Sequence, residues 1–414
     1  MSRYAIVDAA NLIFRARHVV RGDAFTKAGM AIHIVFKSLR KLFRDNHCDH
    51  IVLCLEGGGS WRYKEYPKYK SKRHLARQAD AAERSEKERE EDEVFEHAVE
   101  SFTKFMTENT RCTVLHQPGV EGDDFIARWI QLHPNDEHII LSGDSDFIQL
   151  LAPNVSIYNG VDQRLITTER VTNEYGEEMV FFVDMASGKL KVKNTVEEAR
   201  KAHNEQEKER KKKHDASEKD RARLHLESEK KKSAADPEYV RLPFLPVMFV
   251  PEEFEFVVEP NWWKKALFVK IIRGDSGDSI FSAYPGVRAK SSSKSIGISE
   301  AWDDRNGKGY HWNNFMLQKW DKLIGLDENE NRIVEEVRVL DEFRINERLI
   351  DLTQQPQEVK DLMDMVIVEA VQKEPVGNVG FAFLKFCREN ELLNLAREAT
   401  DHAKYLNAPY ARTK

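Results

Sequence analysis

Nine carboxylates fall where they could work together. Asp8 closes the β-branched run Tyr4–Val7, and Glu56 closes His50–Leu55. Glu121, Asp123 and Asp124 lie between the run Thr113–Leu115 and a helical pattern over Asp123–Leu132. Asp144 and Asp146 follow His138–Leu141, and Asp275 and Asp278 form a pair at (i, i+3) spacing in Gly274-Asp-Ser-Gly-Asp-Ser279. Acids brought close together repel, raise one another's pKa and stay ionised only beside a cation. An all-oxygen set without His or Cys selects hard ions, Mg²⁺ or Mn²⁺. Two such ions about 3.5–4 Å apart activate a water and stabilise the leaving oxygen of a phosphodiester. One Asp after a strand is more often a cap or turn former. Nine at matching ends of successive elements point instead to metal-assisted hydrolysis.

The elements that must position them alternate. The four β-branched runs are separated by helical patterns at Ala31–Arg44, Ser71–Asn109 and Asp123–Leu132, which predicts a mostly parallel sheet flanked by helices. Ligands of such sheets bind beyond the carboxyl ends of the strands, where these acids lie. Tyr66–Arg77 is basic with aromatics interleaved, including Lys68, Lys70, Lys72, Arg73 and Arg77. From Pro260 onward the pattern predicts helices at Trp262–Ile272, Trp312–Leu323, Val334–Leu352, Val359–Val371 and Val379–Ala399.

Asn194–Lys232 is dense in Lys, Arg, Asp and Glu and holds no Ile, Phe, Trp or Tyr. It cannot bury a face and is expected to be an exposed helix or disordered. The expected organisation is therefore an α/β core over 1–193, a charged insertion over 194–236, and the rest of the core with a helical module over 237–414.

The 414 residues include 41% hydrophobic and 32% charged residues, with a net charge of −6. That balance excludes a uniformly basic nucleic-acid coat but leaves room for a local basic groove. Cys48, Cys54, Cys112 and Cys387 show no CxxC spacing, which fits a reduced protein without zinc or disulfides. No signal-peptide or membrane-spanning run is present, so a cytoplasmic protein is expected, host cytoplasm if a phage encodes it.

At the acid motifs the chain resembles the flap-endonuclease, or 5′-nuclease, family. The matching stretches are Ile6-Val-Asp-Ala-Ala-Asn-Leu12, Glu56-Gly-Gly-Gly-Ser-Trp-Arg62 followed by Tyr66–Arg73, Gly119-Val-Glu-Gly-Asp-Asp124, Leu141-Ser-Gly-Asp-Ser-Asp-Phe147 and Arg273-Gly-Asp-Ser-Gly-Asp-Ser279. Within the family it is most similar to the bacteriophage ribonuclease H type, with Asn346–Leu352 similar to a segment near that type's end.

The resemblance implies a PIN-like core, a helical arch at about 62–110 and a helical C-terminal module with a helix-three-turn-helix-like element. It implies that Asp8, Glu56, Glu121, Asp124 and Asp144 serve a first Mg²⁺ or Mn²⁺, and Asp123, Asp146, Asp275 and Asp278 a second. Lys70 and Arg73 would contact the scissile phosphate, while Lys68, Lys72, Arg77, Arg288, Lys290 and Lys294 would contact nucleic acid. Two departures stand out: the family has Asp where this chain has Glu56, and its glycine-rich turn is split here by Arg288–Lys294.

The implied activity is 5′→3′ exonuclease and flap-endonuclease cleavage of 5′-flapped or nicked DNA and RNA–DNA hybrids. The biological task would be RNA primer removal in replication, by a monomer with a single-strand-binding protein or sliding clamp as candidate partners. The alternatives are a PIN-type single-strand ribonuclease and a non-catalytic DNA-binding replication factor.

Overall fold

The computed structural model describes residues 1–184, 187–195, 198, 247–249, 256–291, 295–326, 332–374 and 376–411. The reading of 194–236 as a charged insertion falls almost wholly outside the described residues, as does Lys294.

Strand β1 (Arg3–Asp8) is central, and its Tyr4–Val7 are completely buried. A run buried on both faces suits the interior of a parallel sheet. β1 pairs in parallel with β2 (His50–Cys54) and β4 (Glu137–Leu141). β3 (Thr113–Leu115) lies outside β2, and β5 (Val155–Asn159) outside β4, both also parallel. The strand exits carrying Asp8, Glu56 and Asp144 therefore share one edge. Four antiparallel strands extend the sheet beyond β5: β6 (Arg164–Ile166), β7 (Val171–Thr172), β8 (Glu178–Val183) and β9 (Leu190–Lys193). They are only two to six residues long, too short for periodicity to reveal them.

Strand side chains alternate between faces. Ala5 and Val7 enter a core with Phe36, Leu39, Phe102, Phe105 and Phe383. These come from α2 (Ala24–Asp45), α5 (Glu86–Asn109) and α12 (Val379–Glu389), with α1 (Ala9–Val19) beside them. Tyr4 and Ile6 enter a second core with Phe125, Trp129, Trp262 and Met363. Its helices are α6 (Gly122–Leu132), α7 (Trp262–Arg273) and α11 (Gln357–Val371). The other side of α7 supplies Phe268 and Ile272 to a third core. That core is shared with α8 (Ile298–Asp304), α9 (Tyr310–Met316) and α10 (Val339–Ile350).

Four expected helices are broken. Ser71–Asn109 is two helices, α4 (Ser71–Glu83) and α5, because Ser85 starts a capping box with Glu88. The predicted helices Trp312–Leu323 and Val334–Leu352 instead contribute an antiparallel hairpin, β12 (Lys319–Leu326) and β13 (Arg332–Arg338), which pairs Leu323 with Val334. The last predicted helix ends at Glu389, where Glu391 adopts φ 55°, and resumes as α13 (Leu393–Arg397) and α14 (Ala399–Leu406). The other strand pair is β10 (Val247–Phe249) with β11 (Phe256–Val258). Within the arch region, the short α3 (Arg62–Glu65) begins with a buried Arg62, whereas α4 has no buried residue. No described helix is long and apolar enough to cross a membrane.

Candidate active site

The caps bring the first acids into position. Asp8 caps α1, its carboxylate accepting from Asn11 N at 3.0 Å and from Ser142 Oγ at 2.8 Å. Asp144 caps the turn Ser145–Leu150, accepting from Asp146 N at 3.0 Å. Capping and chemistry coexist here, because a cap fixes where the free oxygens point. Asp123 stands in the first turn of α6, and Glu56 follows β2.

These four carboxyls all have raised pKa values. Burial raises Asp8. Burial, then the charges of Asp8, Asp144 and Glu56, push Asp123 well up. Loss of hydration and then Glu121 raise Glu56. Burial and then Asp146 raise Asp144 to about 6. The group is short of positive charge.

A second group differs in that respect. Asp146, Asp275 and Asp278 each offer an oxygen, all within 4.8 Å of one another. Lys270, from α7, reaches into it: Nζ lies 2.5 Å from Asp146 Oδ1 and 3.0 Å from Asp275 Oδ2. Burial opposes the charge on Lys270, but Asp146 and Asp275 outweigh it and raise its pKa. Burial likewise opposes ionisation of Asp275, yet Lys270 and the Gly277 amide hold its pKa low. Asp278 is raised, burial outweighing Lys70 and Arg73. The turn carrying these acids needs Gly274, whose φ is 73° and whose added Cβ would fall 2.1 Å from Phe281 O.

Arg62 claims two of the expected ligands. It is 1% exposed. Its Nη1 donates to Glu121 Oε2 at 2.7 Å and to Asp124 Oδ2 at 2.9 Å, while Nη2 donates to Asp124 Oδ1 at 2.9 Å. Asp124, completely buried, also accepts from the Trp61 indole at 3.0 Å and from Gln355 at 3.4 Å. Both Asp124 oxygens are thus taken up by Arg62 and its neighbours. Asp123 feels the charges of Asp8, Asp144 and Glu56 and lines the same cleft as Asp146. Glu121 occupies the divide. It accepts from Ser60 at 3.2 Å, from Tyr69 at 3.1 Å and from Lys70. Burial opposes ionisation of Glu121, but Arg62 and Lys70 lower its pKa. A cleft lined by Glu121, Asp123, Asp146, Asp275 and Asp278 joins the two groups.

Cations of the arch close on the same cleft. Lys70 begins α4 with φ 52°, its backbone N donating to Asp278 O at 2.7 Å while its ammonium meets Glu121. Arg73 Nη2 lies 2.8 Å from Asp278 Oδ1. Lys68, Lys72 and Arg77 are exposed. Arg288 and Lys290 sit apart, in the loop between α7 and α8. There Arg288 O accepts from Ile298 N at 3.0 Å, and Ala289 O accepts from Ser299 N at 2.9 Å. That closes the turn the split motif left open. Gly297 permits the closure, since a Cβ there would fall 2.2 Å from the Lys290 carbonyl carbon.

Three residues escaped the sequence reading. Lys270 and Arg62 neutralise acids far away in sequence. The available signal for Lys270 was a lysine amid Phe268, Val269, Ile271 and Ile272. Arg15 stands two turns along α1 from Asp8, on the same face. Its Nη1 bonds Asn11 Oδ1 at 3.4 Å and lies 3.1 Å from where a Gly143 Cβ would be. Burial lowers its pKa against the pull of Asp162 and Asp8.

Known proteins are similar in sequence to the N-terminal part of this chain. Residues 3–176 match the family model described as 5′-3′ exonuclease, N-terminal resolvase-like domain. Flap endonuclease Xni of Shewanella loihica is 26% identical over 187 residues, 44% of this chain and 66% of that protein. Flap endonuclease Xni of Edwardsiella ictaluri is 29% identical over 177 residues, 41% of this chain and 60% of that protein. DNA polymerase I of Mycobacterium tuberculosis is 26% identical over 182 residues, 41% of this chain but 18% of the polymerase. The chain therefore spans less than two thirds of the length of these curated relatives. A crystal structure of a bacteriophage T5 flap endonuclease with DNA and metal ions aligns over 90% of this chain and 100% of its own, at 17% identity and a TM-score of 0.46. What the chain shares with known proteins is thus an N-terminal part, residues 3–176, similar to the 5′-3′ exonuclease N-terminal, resolvase-like domain.

Proposed function

We propose that the chain is a metal-dependent phosphodiester hydrolase that cuts nucleic acid at or near a 5′ end, as exonuclease and flap endonuclease. One observation carries the reading. Two carboxylate groups share the carboxyl edge of the sheet, one short of positive charge and one filled by an ammonium, and arch cations pair with the acids between and within them.

The donor set fits hard divalent ions. Asp8, Glu56, Asp123 and Asp144 would hold one, and Asp146, Asp275 and Asp278 the other, Mg²⁺ being the expected physiological ion. Such ions would supply Lewis acidity toward the phosphate and a nucleophilic water. The chain supplies the rest. Asp124 anchors Arg62, and Arg62 in turn fixes Glu121 beside Tyr69 and Lys70. Lys70, Arg73 and Arg15 offer donors to phosphate oxygens once their carboxylates turn to an ion. Lys68, Lys72 and Arg77 extend that positive surface along the arch, and Arg288, Lys290 and Lys294 form a second one. Substrates would be 5′-flapped and nicked DNA and RNA–DNA hybrids, with primer removal as the task.

The test is cleavage of 5′-labelled flap, nicked duplex and RNA–DNA hybrid with Mg²⁺ and with EDTA, by wild type and Asp144→Asn. Cleavage in Mg²⁺ alone is expected, reduced on the order of a hundredfold or more in the variant, since several kcal/mol of charge stabilisation are at stake. Cleavage persisting in EDTA, or a fully active variant, would refute the reading. Failure on the hybrid alone would remove only the ribonuclease H part.

A further inference from the structure

At the opposite edge of the sheet, a cavity of about 170 Å³ opens between the start of β3, the end of α11 and Pro409–Tyr410. Two cations line it, Arg111 and Lys373. Arg111 Nε is buried and has no hydrogen-bond partner among the described residues. An unsatisfied buried donor of this kind is costly, more so for a charged group, unless something accepts from it. Lys373 Nζ makes one long bond, 3.4 Å to Thr110 O. Burial pulls its pKa down, against the influence of Cys112 and Glu108. Glu374 lines the cavity too, yet among the described residues it forms no ion pair with either cation.

A planar guanidinium fork beside an ammonium suits an oxyanion, whose several lone pairs satisfy both. The size agrees: a water takes about 30 Å³ of liquid, so the cavity admits a tetrahedral oxyanion with some hydration. The strands run from this edge toward the acids, so the cavity is separate from the cleft that holds them.

We propose that this cavity binds a small tetrahedral oxyanion, a phosphate, held by Arg111 and Lys373. Its source is either free inorganic phosphate or the terminal phosphate of a nucleotide. The test is calorimetry on the full chain in EDTA, with inorganic phosphate and with adenosine 5′-monophosphate. One equivalent of phosphate should bind to wild type. Arg111→Gln and Lys373→Gln should each weaken binding by on the order of tenfold, and the double variant should abolish it. Arg111→Lys, which keeps the charge without the fork, should lose less than Arg111→Gln.

Lys319→Gln, at an exposed cation of the hairpin β12–β13, should leave phosphate binding unchanged. Adenosine monophosphate binding as tightly as phosphate assigns a nucleotide source, and phosphate binding alone assigns the free ion. No binding by wild type, unchanged binding in the double cavity variant, or loss in the hairpin variant would overturn the proposal. A melting temperature within a few degrees of wild type shows that each variant is folded.

Discussion

The ammonium of Lys270 lies 2.5 Å from Asp146 Oδ1, among three carboxylates whose oxygens lie within 4.8 Å of one another. It stands where a cation of either kind, organic or metallic, has the most to gain. A metal ion at this group therefore competes with a built-in counter-charge.

Lys270→Met should separate the two contributions. Without the ammonium, Asp146 and Asp275 face each other uncompensated, and breaking a buried pair costs about 3–5 kcal/mol. The melting temperature in EDTA should fall, and Mn²⁺ should restore more of it in the variant than it adds to wild type. Equal Mn²⁺ responses in the two proteins would show that Lys270 and the ion do not share a place.

Asp144 gives a pH signature. Its carboxyl, raised to about 6 by burial and then Asp146, must lose its proton before it can serve as an ion ligand. Because the folded value lies above the ordinary one, this group favours folding most at low pH. That contribution is lost as pH rises through about 6. Ion affinity has the opposite slope, climbing between about pH 5 and 7 with proton release. Calorimetry of Mn²⁺ binding in buffers of different ionisation enthalpy measures the released protons. Asp144→Asn should release fewer protons, and an identical count would exclude Asp144 from the ligand set.

Asp124 should behave as an anchor rather than as a ligand. Asp124→Asn removes the charge facing Arg62 but keeps hydrogen-bonding atoms, so the melting temperature should drop, by a free energy of about 2–4 kcal/mol. The number of Mn²⁺ ions bound should stay the same. A lost equivalent of metal with unchanged stability would reverse the assignment.

Buried histidines, His50 and His138 among them, weaken the fold in acid. His50, which contacts Ala408 O and Thr113 Oγ1, and His138, which contacts His133 O, are both pulled down to about 4, chiefly by burial. Their neutral forms are built in. Their contribution is complete above the ordinary value of about 6.5 and is lost as pH falls from there toward about 4. The loss is up to about 3 kcal/mol each. Urea unfolding in EDTA at pH 7 and pH 5 measures the loss, and His50→Gln should remove a large part of it. A flat profile in wild type would mean that the unfolded chain protonates no more than the native one.

What could be read without coordinates was whatever depends on neighbours in sequence. Asp8, Asp123 and Asp144 were legible because each follows a β-branched run and precedes a helix or turn. Parallel strands then force such exits to one edge. The basic character of Tyr66–Arg77 was legible from its residues, whereas the arch was implied only by the family resemblance. Neutralisation was not legible. Arg62 meets Asp124 across 62 positions, and Lys270 meets Asp146 across 124. Only the fold decides which acids are left without a partner, so Asp123 and Asp124, adjacent in sequence, acquire opposite environments. The hairpin Lys319–Arg338 was misread because Val334, Val337 and Leu340 also satisfy a helical spacing. The pairing of Leu323 with Val334 settles the choice in favour of strands.

Helix α4 is thirteen residues long and buries none of them. An isolated helix of that length sits near its coil transition in water. Its amides should exchange with solvent almost as fast as those of a free peptide, while β1 and α2 stay protected. On the proposed function, order in α4 is then something a bound strand would have to impose, at about 1–2 kcal/mol of entropy for each residue that was coil. A covalent staple across one turn of α4 would lift that requirement. It would tighten binding by slowing release while narrowing the opening through which a bulky end has to pass.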